Sequence, residues 1–92
     1  MEHTFRQDWF RYPMIAHLLD SLRAYGESGR PTGDFLRCVL ENDLFGAVAR
    51  ADWQNERLIP RLCEYIQNEM PSASYGSPEK VDKWIITHRA AL

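Results

Sequence analysis

The side chains able to do chemistry are few and scattered. Histidine occurs at His3, His17 and His88, and cysteine at Cys38 and Cys63. A transition-metal site needs several such ligands converging at fixed geometry. No His-Glu-x-x-His or Cys-x-x-Cys spacing gathers them along the chain. Cys38, Cys63 and His17 could meet only through folding, and Cys63 falls on an apolar helical stripe, where a thiol is ordinary core. Nucleophilic catalysis needs a Ser or Cys beside a His that an acid orients. Ser77 is followed by Pro78-Glu79, the pattern of a helix cap, and His88 lies on an apolar helical face. The chain has no Gly-x-Ser-x-Gly elbow and no phosphate-cradling Gly-x-x-x-x-Gly-Lys. Glu41 with Asp43, and Asp52 with Glu56, read as caps and first-turn dipole partners. The expectation is a protein that is not an enzyme and takes no cofactor or metal.

The elements that position these residues read as helices throughout. Thr4-Phe5-Arg6-Gln7 fits a capping box and predicts a short helix over 5–11. Pro13 suits the first turn of a second helix, whose buried stripe is Ile15, Leu18, Leu19 and Leu22. Gly26 is its expected stop, before a turn-rich connection from Ser28 to Gly33. The central stretch from Gly33 to Asp52 is the most apolar. On one continuous helix Leu36, Val39, Leu40, Leu44, Ala47 and Ala51 would align, but Asp43 would fall inside their stripe. Burying that carboxylate unpaired would cost on the order of several kcal/mol or force a large pKa shift. A break at Asn42-Asp43 avoids it and predicts helices over 34–41 and 43–51. Gly46 in the second implies a neighbouring helix passing close. Asp52 caps a helix running from Trp53 toward Glu69, buried along Leu58, Ile59, Leu62, Cys63, Ile66 and Met70. Pro60 lies on the opposite face and should kink or split it. After a loop over 71–76, Ser77-Pro78-Glu79 opens a last helix with Val81, Trp84, Ile85, His88 and Leu92 inward. The predicted fold is all-α, a compact single-domain bundle of five or six short helices.

Bulk properties narrow the partners. The 92 residues are 45% hydrophobic and 26% charged, as in an ordinary globular chain, and carry a net charge of −2. Such a balance argues against a dedicated nucleic-acid binder, which presents a basic face. The candidate reading helix over 43–51 has Arg50 alone. Lys80, Lys83 and Arg89 near the C-terminus are diluted by Glu79 and Asp82. No apolar run is long enough to span a membrane and no leader pattern opens the chain, so a cytosolic protein with reduced thiols is expected. Trp9, Phe10, Tyr12, Trp53 and Tyr75 are more aromatics than the core stripes use, and Trp, Tyr and Arg are the favoured anchors of interfaces. Protein binding is the function class left standing.

The motifs Phe35-Leu36-Arg37-Cys38-Val39-Leu40-Glu41-Asn42-Asp43-Leu44, Ala51-Asp52, Asn68-Glu69-Met70-Pro71-Ser72 and Tyr75-Gly76-Ser77-Pro78-Glu79 resemble a family of small uncharacterised proteins carried by bacteriophages and mobile elements of Proteobacteria. Thr32 and Asp34 replace the Pro and Gly of that pattern, and Tyr75 stands where Trp is commoner. The resemblance implies a mobile-element origin and the cytoplasm of a bacterial host. Small non-enzymatic proteins in that setting bind and disable host complexes, anti-CRISPR inhibitors among them, so the implied partner is a host complex such as a CRISPR-Cas effector. Steric occlusion is the expected mechanism, with Asp34, Arg37, Glu41, Asp52 and Tyr75 as contacting residues. The alternatives are a DNA-associated accessory protein working through the C-terminal basic residues, and a homodimer with Trp53 or Tyr12 at its interface.

Overall fold

Capping residues set the element boundaries. The computed structural model describes residues 13–90, so the helix expected over 5–11, and with it Trp9, Phe10 and Tyr12, lies outside the described residues. Five α-helices follow in order: α1 (Pro13–Ser28), α2 (Asp34–Leu40), α3 (Leu44–Arg50), α4 (Trp53–Glu69) and α5 (Pro78–Ala90). A 3-10 turn at Ser72–Ser74 precedes α5. The described residues contain no strand, and the fold is all-α.

The first helix runs past its expected stop. Gly26 is helical, and the terminating residue is Gly29, at φ +68° with its N–H donating to the Tyr25 carbonyl at 2.9 Å. A Cβ at Gly29 would also lie 2.5 Å from the His88 Cβ, so both the backbone and α5 require glycine there. Tyr25, absent from the expected stripe, is fully buried and continues the line through Leu18 and Leu22. Its burial outweighs the cost of about 1 kcal/mol that a helical Gly26 carries.

The break at Asn42-Asp43 is a hydrogen-bonded corner. Asn42 adopts φ +63°, a left-handed conformation that Asn accepts more readily than most residues. Its N–H donates to the Val39 carbonyl at 3.1 Å, and the Asp43 N–H donates to Cys38 at 2.8 Å. These two bonds make a Schellman end for α2. Asp43 then turns outward and caps α3, accepting from the Gly46 N–H at 2.9 Å. A Cβ at Gly46 would sit 2.2 Å from Asp43 Oδ2 and 3.0 Å from Cys38 Sγ. The close neighbours that require glycine are therefore the cap itself and a thiol of α2. Asp43→Ala should cost about 1 kcal/mol, and Asp43→Asn less, read as a lowered urea midpoint at unchanged slope.

Asp52 and Ser77 cap α4 and α5 by the same chemistry, accepting from Asn55 at 2.7 Å and Lys80 at 3.2 Å. Pro60 does not split α4, which continues through it to Glu69. Pro60 and Glu56, whose carbonyl loses its helical donor, are both exposed, so water can serve that oxygen.

Leu22, Tyr25, Leu36, Leu40, Leu58, Leu62, Ile66, Val81 and Ile85 form one buried cluster drawn from four helices. Tyr65, absent from the expected stripe, is buried with them. Cys38, Ala47 and Ile59 form a smaller cluster where α3 meets α2 and α4. Bonds of long sequence separation help close the bundle. The Tyr25 hydroxyl donates to the Ser74 carbonyl at 2.6 Å, the Trp84 indole N–H to the Tyr25 carbonyl at 3.0 Å, and the Gly76 N–H to the Leu40 carbonyl at 2.7 Å.

Candidate protein-docking site

On α3 the usual arrangement of a surface helix is reversed. Such a helix turns polar residues to water and apolar ones to the core. Here Ala47 alone is buried, while Leu44 is 60%, Phe45 87% and Val48 43% exposed. Ala49 is exposed beside them. The apolar side chains of this segment, expected inside the protein, face solvent. The corner explains the difference, because the turn at Asn42 that keeps Asp43 out of the interior also swings Leu44 off the stripe of Leu36 and Leu40.

Two shallow clefts of ≈ 160 Å³ each adjoin this face, sharing Val39, Asn42 and Cys63. One is walled by Leu44, Ala47 and Ile59 on the α3 side. The other continues along α4 past Ile66 to Tyr75 and Gly76. Cys38 is buried and Cys63 half-buried, both as free thiols. Burial pushes both thiols above their ordinary pKa, which keeps them protonated and poorly nucleophilic at neutral pH.

The structure distributes the five expected contact residues over different duties. Arg37 and Glu41 pair with each other at 2.7 Å, and the Arg37 guanidinium also bonds Asp82, which ties α2 to α5. Hydrogen bonds to Glu41 and then Asp82 hold the Arg37 proton more firmly than usual. Asp52 is exposed with one oxygen occupied as the cap of α4, and Asp34 is exposed in the first turn of α2. Tyr75 is half-buried, packed on the main core and walling a cleft. Trp53 is 68% exposed, with the Arg57 guanidinium carbon 5.6 Å from its ring centroid.

Leu44, Phe45 and Val48 escaped sequence reasoning because an apolar run looks the same whether it fills a core or an interface. The signal available was the solvent face itself. Once a corner is placed at Asn42, a two-turn helix with one small inward residue leaves Phe45 and Val48 no interior to enter.

His88 donates from Nδ1 to the Trp84 carbonyl at 2.9 Å and stacks on the Trp84 ring at 4.0 Å, a packing role at the edge of the core. Among the described residues no group of three His, Cys, Asp or Glu could hold a metal ion, and no helix is long and apolar enough to cross a membrane. Compared with protein-family models, with curated proteins and with solved structures, the chain finds no match.

Proposed function

We propose that this chain acts by binding another protein, without catalysis, and that the α3 face carries the contact. One observation supports the reading: Leu44, Phe45, Val48 and Ala49 give a helix a solvent face with no charge on it. Exposed apolar surface costs solubility and contributes nothing to the stability of an isolated chain. A contiguous patch of a few hundred Å² is about the size of the largest on a typical monomer, and such patches are often functional. A projecting aromatic on the helix that walls an apolar cleft has the anatomy of an interface centre.

The resemblance of the central and C-terminal motifs to mobile-element proteins gives this reading its sharper form. The partner is a host complex, and binding inhibits it by occluding a surface it needs, as an anti-CRISPR inhibitor would. Expressed in a bacterium whose CRISPR system targets a phage, the chain should restore plating of that phage, and Phe45→Glu should abolish the rescue. Unchanged plating across the CRISPR types tested overturns the anti-CRISPR form. Capture of a host complex that survives both Phe45→Glu and Val48→Glu overturns the assignment of the α3 face.

A further inference from the structure

We infer that the α3 face is also the contact surface of a two-fold dimer of this chain, in which each Phe45 ring enters the cleft between Val39, Ile59 and Cys63 of the other copy. The inference rests on the reading of α3 as a docking face and adds an occupant to it. Three features of the face choose a second copy. The first is size. An enclosed cavity of about 150 Å³ lined by apolar side chains accepts a benzene ring; the open cleft walled by Val39, Leu44, Ala47, Ile59 and Cys63, together with Asn42 and Asp43, measures ≈ 160 Å³. The most exposed large hydrophobic side chain among the described residues is a phenyl, Phe45 at 87%, on the same helix.

The second feature is arrangement. At about 100° per residue around a helix, Leu44 and Val48 lie between Phe45 on one flank and the cleft beside Ala47 on the other. A two-fold axis through Leu44 and Val48 therefore exchanges the two flanks, so ring and cleft are satisfied twice by one operation. Such self-complementarity is the requirement of an isologous interface. A foreign partner would need only one of the two features.

The third is area. With an aromatic side chain presenting about 150–250 Å², the exposed parts of Leu44, Phe45 and Val48 offer on the order of 300–400 Å² per copy. With the cleft walls and a polar rim, two copies bury roughly 1,000 Å², the low end of specific interfaces. Interfaces of this small size class are mostly weak and reversible, and a dissociation constant on the order of micromolar is expected. Self-association and capture of a host partner exclude each other, and dilution frees the face.

Sedimentation of the full chain from about 0.01 µM to about 100 µM tests this, roughly two decades either side of a micromolar dissociation constant. The wild type should pass from monomer to dimer, while Phe45→Glu stays monomeric with unchanged helical circular dichroism. If Phe45→Glu loses its helical signal, Phe45→Ala replaces it, with at least a tenfold weaker dimer expected. Photo-crosslinking from a benzoylphenylalanine at position 45 should join two copies through Val39, Ile59 or Cys63. A wild type that is monomeric throughout overturns the inference, as does a dimer indifferent to both substitutions, or a crosslink confined to residues 1–12 of the same chain. A monomer whose capture of a host partner is still abolished by Phe45→Glu overturns the dimer and leaves the docking face standing.

Discussion

Leu62→Ala lowers the stability of this protein by about 2–5 kcal/mol, a large part of the roughly 5–14 kcal/mol that a domain of this size has at its disposal. Leu62 is fully buried near the middle of α4. With Leu58 and Ile66, one turn to either side, it forms the row that α4 presents to the core. The helix has little local support there, because Pro60 removes one of its internal hydrogen bonds. Tertiary packing holds that turn, so truncating Leu62 removes contacts on which the turn itself depends. Thermal unfolding should fall by roughly 10–30 °C. Leu62→Met, which keeps the volume, should cost less than about 1.5 kcal/mol. Equal losses in the two variants would show that something other than the cavity is being measured.

Tyr25→Phe has the second largest expected effect, and it carries a pH signature. The Tyr25 hydroxyl donates to the Ser74 carbonyl, and Ser74 is itself fully buried. Removing the donor leaves that oxygen unpaired away from water, at a cost of about 1–3 kcal/mol. Ser74→Ala keeps the carbonyl and separates this effect from the bond of the Ser74 hydroxyl to Pro71. The phenol pKa is pushed from 10.0 up to about 12, chiefly by burial. The folded state therefore holds the Tyr25 proton more tightly than the unfolded state does. That contribution to stability is complete below pH 10 and is lost as the pH rises toward about 12. Wild-type unfolding curves taken across that window should show the decline, and those of Tyr25→Phe should lack this component. A variant with the same alkaline decline would show that Tyr25 does not titrate as described.

The sequence makes the helix starts plain because a cap is a local event. Asp43, Asp52 and Ser77 each accept from the N–H three residues on, and nothing distant decides that geometry. Helix ends were less legible. Gly26 and Gly29 look alike in sequence, and what separates them is tertiary. Tyr25 is buried and holds the turn at Gly26 in the helix, while His88 presses against Gly29. The apolar stripes of α1, α4 and α5 could be read from their period because each helix is long enough to repeat it. α3, with seven residues, is too short for its period to say which side faces in. The roles of Arg37 and Glu41 were hidden for another reason. The second partner of Arg37, Asp82, stands 45 residues from it, and charge on a polar face looks the same whether it awaits a partner or holds one.

The corner at Asn42-Asp43 satisfies its own backbone groups, and only Ala47 of α3 is buried. Leu44, Phe45, Val48 and Ala49 can therefore change identity at little cost to folding. The same freedom makes those four positions suitable for randomisation in a selected library, with binding altered and the architecture kept.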